Sequence, residues 1–461
     1  MATVTAAVDV ATDKASQERG KLIADYVATT AGRSVPVRII EAAKVALIDH
    51  VGVAVGAWNE PAALAARKVA SSWKSAGNAR IFNGPTTSAG LAALVNGTAS
   101  HCMDFDDAHL HGAGHVSAPC WSAALAVASD RGLDEAIALK GFIAGFEVMA
   151  RIGGGNITGV GRNMQKRGIH PTAVLGPVGA AAAVAAMLGF DTSETANALG
   201  AAATSGAGFV ASFGTDSKPF HAGRAAMDGV LAAGLAEEGF TAAHTLFERT
   251  GGLIDAFIQD RNVRVPDLDF SNWEIENNGY KAFACCRATH PSIQAAHSLR
   301  EKVGERRVEK IVVKVHATAP FTAGKTAPKT PLECKFSLPF CIAMGLRGYR
   351  GVASDFTDDI LHDEAVQAIV PTVEMQPVAD QPNHECYLDV WLADGEHLYA
   401  ETKVVLGHPA NPMSQEHLRA KFISLVQPVF GSDRCRDLYE TLASFEKPGS
   451  LKRTMELTAG T

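Results

Sequence analysis

Ala173-Val174-Leu175-Gly176-Pro177-Val178-Gly179-Ala180-Ala181-Ala182-Ala183-Val184-Ala185-Ala186-Met187-Leu188-Gly189-Phe190 carries no charge over its whole length. A membrane span and a buried helix both compete for such a stretch. Gly176, Pro177, Gly179 and Gly189 interrupt it and alanine fills most of the remainder, which favours the buried helix over the span. The same small-residue bias returns in residues 89–97 and 201–208. Side chains this small let helices pack closely on one another, so the stretch reads as part of a tight helical core and not of a parallel sheet.

Helical periodicity continues outward from this tract. Residues 22–28, 34–57, 62–73, 88–100, 116–128 and 133–151 place apolar side chains at threes and fours; in 34–57 these are Val37, Ile40, Ala43, Ala46, Leu47, Val51 and Val55. Asp191 or Thr192 caps a further helix. The glycine-rich residues 153–161 read as a loop and not as a dinucleotide fingerprint, because no β-branched strand precedes them. Around Arg261 the pattern changes. Residues 308–315 alternate as a strand, and 386–392 turn through Asp394-Gly395 into 397–406 as a hairpin. Helical segments lie between, at 291–303, 335–346 and 358–370, and residues 414–445 return to helical periodicity. The expected fold is mainly α with a smaller α+β domain: a mobile segment 1–20, a large all-helical domain from both chain ends (21–263 and 410–461), and an inserted α+β domain at 264–409.

Composition narrows the function. At 461 residues the chain exceeds one compact core, and 47% hydrophobic against 20% charged residues is enough to bury a large one. A net charge of −7 offers no basic footprint for nucleic acid, yet it permits a local cationic pocket for a small anion. The first twenty residues lack the basic start and apolar stretch of a secretory signal, and a cytoplasmic protein is expected. The eight cysteines show no CxxC pair, which argues against a disulfide framework or a zinc ribbon, and adjacent Cys285 and Cys286 are too few for an iron–sulfur cluster.

His101, Asp104, Asp106, Asp107, His109, His111 and His115 crowd into one short stretch. Such a cluster can hold a metal, transfer protons or sit in a polar loop, and spacing alone does not decide. Three further stations carry Lys, His or Arg beside turn formers: His170 before Pro171-Thr172, the segment 215–224 with Lys218, His221 and Arg224, and the segment 281–291 with Lys281, Cys286, Arg287 and His290.

Five stretches in order, Met103-Asp104-Phe105-Asp106-Asp107, Gly168-Ile169-His170-Pro171-Thr172, residues 217–226, residues 281–290 and Lys335-Phe336-Ser337-Leu338-Pro339-Phe340, resemble the MmgE/PrpD family. That family includes 2-methylcitrate dehydratase, cis-aconitate decarboxylase and iminodisuccinate epimerase. The resemblance covers nearly the whole chain and implies a helical domain with an α+β lid, a homodimer, no metal and no organic cofactor. Carried over by position, it implies a site between the domains built from Asp104, His115, His170, Lys218, Lys281 and Cys286. The chain departs from the pattern in carrying Ala108 where Thr often follows the acidic motif, and one extra residue before His115. It also carries Cys286 where a decarboxylase of the family has histidine.

Chemistry reaches a similar place without the family. A carbon acid flanked by carboxylates needs cations to hold the anion, a base for a weakly acidic proton and an acid for the leaving group. Lys218, Lys281 and Arg287 can supply the first; Asp104 with His115 or His170 can supply the others. His221 and Arg224, three apart on one helix, are candidates for holding substrate. Asp106 and Asp107 are expected as loop or capping carboxylates, because three acids so closely spaced cannot all face one point on a helix or turn. Cys286 qualifies as acid or base only if a neighbouring cation lowers its pKa. His109 and His111, with His115 and Asp107, have zinc-like spacing but no HExxH motif, and the preferred reading leaves both imidazoles without a role. The expectation is a lyase acting on a small di- or tricarboxylate by proton abstraction next to a carboxylate, with dehydration favoured. Decarboxylation of a cis-aconitate-like acid, epimerisation of an aminodicarboxylate, a non-catalytic carboxylate-binding relative and a metal hydrolase are the alternatives.

Overall fold

The computed structural model describes residues 18–460 apart from 113, 155–158, 249–250, 261, 264 and 266. Part of the glycine-rich loop, Arg261 and most of the segment expected to be mobile therefore lie outside the described residues. Arg19 and Gly20, which the sequence reading assigned to that terminus, instead open the first helix and are buried, with the Gly20 N–H donating to Glu248 at 3.0 Å.

The chain begins with helices α1 (Arg19–Ala28), α2 (Val37–Gly56) and α3 (Pro61–Ser72), a two-residue strand pair β1 (Ala79–Arg80) and β2 (Thr86–Thr87), and α4 (Ala89–Cys102). After β3 (Ala108–His109) come α5 (Ser117–Arg131), α6 (Glu135–Gly153), α7 (Val160–Lys166), α8 (Pro171–Leu188), α9 (Thr192–Ala203), α10 (Ser217–Glu237) and α11 (Leu253–Ile258). Helix α8 lies among α5, α6, α9 and α10. Its mean hydropathy of 1.7 and its length would suit a membrane, but its neighbours bury nearly every residue of it. The small residues matter where helices cross: a Cβ on Gly223 of α10 would sit 2.2 Å from the Leu94 carbonyl of α4. No side chain fits that gap, so glycine lets the two backbones touch. Asp191 and Glu194 form a reciprocal capping box at the start of α9, as the sequence leads one to expect.

The α+β part starts with β4 (Asn278–Gly279), which pairs antiparallel with β3, and α12 (His290–Val303). It continues through β5 (Val308–His316), α13 (Ala319–Ala323), α14 (Pro331–Cys334), α15 (Leu338–Leu346), α16 (Asp358–Leu361), α17 (Glu364–Gln367), β6 (Val373–Val378), β7 (Cys386–Leu392) and β8 (His397–Thr402). The sheet order is β6-β5-β7-β8, with β5 parallel to β6 and the other pairs antiparallel. Strand β7 alternates buried and half-buried residues along its length, and α12 covers the sheet. Two expected helices are shorter. Ser337 caps Phe340, so α15 starts at Leu338 and not at Lys335; Asp363 caps Ala365 and Val366, which splits 358–370 into two short helices. The chain ends with α18 (Gln415–Ala443), kinked at Gly431, and α19 (Ser450–Leu457). Helix α18 packs on α2, where Gly52 leaves room for the Phe422 ring.

Candidate active site

The site is built on the turn that ends α4. Asp104 adopts a φ of +50°, a left-handed conformation that residues other than glycine rarely take. Three lysines hold it there. The carbonyls of Met103, Asp104 and Phe105 accept, in order, from Lys335 at 2.8 Å, Lys281 at 2.8 Å and Lys421 at 2.6 Å. All three lysines are buried, and two of them, Lys335 and Lys421, were not singled out from the sequence. The turn brings the ligand atoms of His101, Asp104, Asp106 and His115 within 4.8 Å of one another. Asp104 and Asp106 therefore converge, contrary to the expectation that their spacing would separate them. Asp106 and Asp107 are not solvated: each is at most 2% exposed. Asp106 sits between His101 and His115, and Asp107 accepts from Ser117 and, at 2.6 Å, from Asn278.

Asp104 joins the two predicted lysines. Its Oδ1 lies 2.5 Å from the Lys218 ammonium and 3.0 Å from that of Lys281, while its buried Oδ2 has no partner. Burial raises the Asp104 pKa, but the two ammonium groups outweigh it and hold the carboxylate well below its usual range. Burial opposes the charge on Lys281; Asp104 and Asp106 overcome it and raise its pKa. Removing one partner from so buried a set costs about 3–5 kcal/mol, because an uncompensated charge stays behind.

His115 and His170 face the same cavity from different elements, His115 just before α5 and His170 as the residue preceding Pro171 at the start of α8. Burial lowers the pKa of both, assisted at His170 by Lys218 and opposed at His115 by Asp106. Both are therefore neutral imidazoles at physiological pH. His221 lies behind His170, Nδ1 to Nδ1 at 3.0 Å, and does not line the cavity. Arg224 is half-exposed, paired with Asp228, and also outside it. The two expected substrate-holding residues thus stand off the cavity wall, His221 reaching it only through His170.

Cys286 and Arg287 do line the cavity. Burial pushes the Cys286 thiol up to about 11, with Asp104 adding to the effect, so it remains a neutral thiol and not the thiolate its neighbouring cations would have favoured. Arg162 of α7 joins Arg287 on the cavity wall. Sequence reading missed Arg162, which α7 delivers from just beyond the glycine-rich loop. Among the described residues neither guanidinium has a carboxylate within salt-bridge reach. Arg162 donates to Gln165 and the Leu110 carbonyl, Arg287 approaches the Gly407 carbonyl at 3.5 Å, and its buried Nη1 has no partner. Burial and the nearby Arg162 together push the Arg287 pKa down to about 10. The cavity wall thus carries a lysine pair and an arginine pair, with Ala108, His316 and Thr322 also on it.

Among the described residues two groups are close enough to surround a metal ion: His101, Asp104, Asp106 and His115, and separately His109, His111 and Glu274. In the first, Lys218 already occupies the space between His101 and Asp104, at 2.8 and 2.5 Å. In the second, His109 bonds Glu274 at 3.0 Å and ties β3 to the segment before β4, a structural role that the loop reading of His109 did not include.

Comparison with known proteins places the chain in a family. The MmgE/PrpD N-terminal domain matches residues 21–266, and the MmgE/PrpD C-terminal domain matches residues 283–447. The cis-aconitate decarboxylase of Homo sapiens is 30% identical over 381 residues, covering 77% of this chain and 76% of the human protein. That of Mus musculus is 27% identical over 376 residues, covering 76% of this chain and 74% of its own. A cis-aconitate decarboxylase-like protein of Aspergillus oryzae is 25% identical over 479 residues, covering 95% and 96%.

Proposed function

Because the chain belongs to the MmgE/PrpD family, we propose that it is a lyase that breaks a bond beside a carboxylate of a small di- or tricarboxylate. The observation that carries this reading is one cavity lined by two lysines, two arginines and two neutral imidazoles. Lys218 and Lys281 hold the carboxylate next to the reacting carbon and stabilise the charge that develops on it. Arg162 and Arg287 hold a second carboxylate of the same molecule, as planar donors suited to that group. The proton moves through an imidazole. Asp104 is held ionised by its lysines and is a weak base, whereas His115 is a neutral imidazole on the cavity wall with the Asp106 carboxylate against it to stabilise an imidazolium. Asp104 instead positions the two ammonium groups.

Decarboxylation of a cis-aconitate-like acid is the first reaction to test, since the relatives carry that name. In it the C–C bond to the departing carboxylate breaks, carbon dioxide leaves, the electron pair remains on the carbon skeleton, and an imidazolium delivers a proton there. A bound polyanion supplies that imidazolium by raising the proton affinity of His115. Dehydration is the second reading, favoured by Cys286 at the place where the decarboxylase pattern has histidine. There His115 takes the proton from carbon, the C=C bond forms as the C–O bond breaks, and the imidazolium returns that proton to the departing hydroxide, which leaves as water.

Proton NMR of citrate, 2-methylcitrate, cis-aconitate and iminodisuccinate with the protein in heavy water tests the proposal. Loss of substrate, or deuterium entering a C–H beside a carboxylate, is expected with at least one of them. No turnover and no exchange with any would overturn it.

A further inference from the structure

We infer that His101 and Asp106 form a buried relay from Lys218 to His115 that presents His115 Nε2 to the cavity as an unprotonated nitrogen. The argument runs along four groups. An ammonium can only donate, so Lys218, 2.8 Å from His101 Nε2, makes that nitrogen an acceptor. The His101 proton must then sit on Nδ1, which lies 2.9 Å from Asp106 Oδ2. A carboxylate can only accept, and the same Oδ2 lies 3.0 Å from His115 Nδ1, in a bent contact. The contact is an ion-pair approach and not an aligned hydrogen bond, and its charge favours the His115 proton on Nδ1, with the lone pair on Nε2.

Burial supports each link. His101 and Asp106 are 1% and 2% exposed, so water cannot replace any of these partners. Burial also lowers the His101 pKa to about 3, against the pull of Asp106, which keeps that ring neutral and gives its tautomer meaning. The charged groups around His115 are Asp106, Lys281, Lys218 and Asp104, the last with its charge shared between the two lysines. The two cations disfavour an imidazolium at rest; Asp106 is the group that stabilises it once a proton arrives. Neither His101 nor Asp106 lines the cavity, so both are positioning residues. Their role rests on the proton-transfer reading above for its kinetic consequence, but not for the tautomers themselves.

Nitrogen-15 NMR of histidine-labelled wild-type protein reads those tautomers directly, without any assumption about substrate. Both rings are expected as the Nδ1–H form near neutral pH; His115 found as the Nε2–H form or as an imidazolium would overturn the proposal. With a substrate in hand, Asp106→Asn should lower kcat by roughly a thousandfold with KM within about threefold, as when the carboxylate behind a catalytic imidazole is replaced. It should also shift the acidic limb of the kcat/KM profile, and Asp106→Glu should restore part of kcat. A kcat for Asp106→Asn within about threefold of wild type would overturn the relay. If that variant does not fold, the wild-type tautomers decide the matter. Correct tautomers with no turnover of any acid would contradict the lyase reading and leave the relay standing.

Discussion

The two cation pairs of the cavity carry like charge and differ in what balances it. Lys218 and Lys281 share Asp104, and their positions are set before any substrate arrives. Arg162 and Arg287 face each other's charge with no carboxylate near enough for a salt bridge among the described residues. The lysine pair is thus preorganised, and removing a part of it disturbs fold and chemistry together. The arginine pair, which under the proposed function holds the second carboxylate, repels itself, and removing a part of it relieves that repulsion. Stability and activity should therefore respond differently at the two pairs.

Asp104→Asn should have the largest effect. It leaves two buried ammonium groups without their counter-charge, so we expect kcat/KM to fall by at least about a thousandfold and stability to fall by about 3–5 kcal/mol, read by steady-state kinetics and denaturant unfolding. Arg162→Gln and Arg287→Gln should raise KM about tenfold to a hundredfold for an acid with a second carboxylate, with unfolding free energy unchanged or slightly raised. Equal losses of stability at both pairs would break the contrast.

The pH profile gives a smaller signal. His115 has a pKa lowered by burial, so proton abstraction should persist below the usual imidazole value of about 6.5 and fail only on the acid side of its own lowered value. A limb above that value in kcat/KM would point to another base. Smallest is a stability term outside the cavity. Burial, with Asp49 nearby, raises Asp107 to about 7, so its folded form binds a proton that the unfolded form has lost. Its contribution is complete below an unfolded pKa of about 3.9 and is lost as pH rises through about 7. Asp107→Asn should remove that slope, at most about 1.4 kcal/mol per pH unit, in urea unfolding compared across this window.

How much of this was legible depends on whether the signal was local. The helices of the core could be read because alanine and glycine recur at helical spacing, and the Asp394-Gly395 hairpin because its turn needs those residues. Asp104, His115, His170, Lys218 and Lys281 could be picked out because the motifs that resemble the MmgE/PrpD family carry them over by position, and the fold brings all five to one cavity. Asp106 was misjudged as a capping carboxylate because its burial depends on the left-handed turn at Asp104, and that turn depends on lysines from three distant segments. Nothing near Asp106 in the chain announces them. His221 and Arg224 share a helix with Lys218, and only the packing of α10 against α4 and α8 decides which of its faces meets the cavity.

The most direct test of the two-pair cavity is a cycle of two changes: wild type and Arg162→Gln, each given the polycarboxylate it turns over and the same acid with its distal carboxylate converted to an amide. The account predicts that wild type prefers the full acid by roughly a hundredfold in kcat/KM and that this preference largely disappears in the variant. An undiminished preference in Arg162→Gln would contradict it.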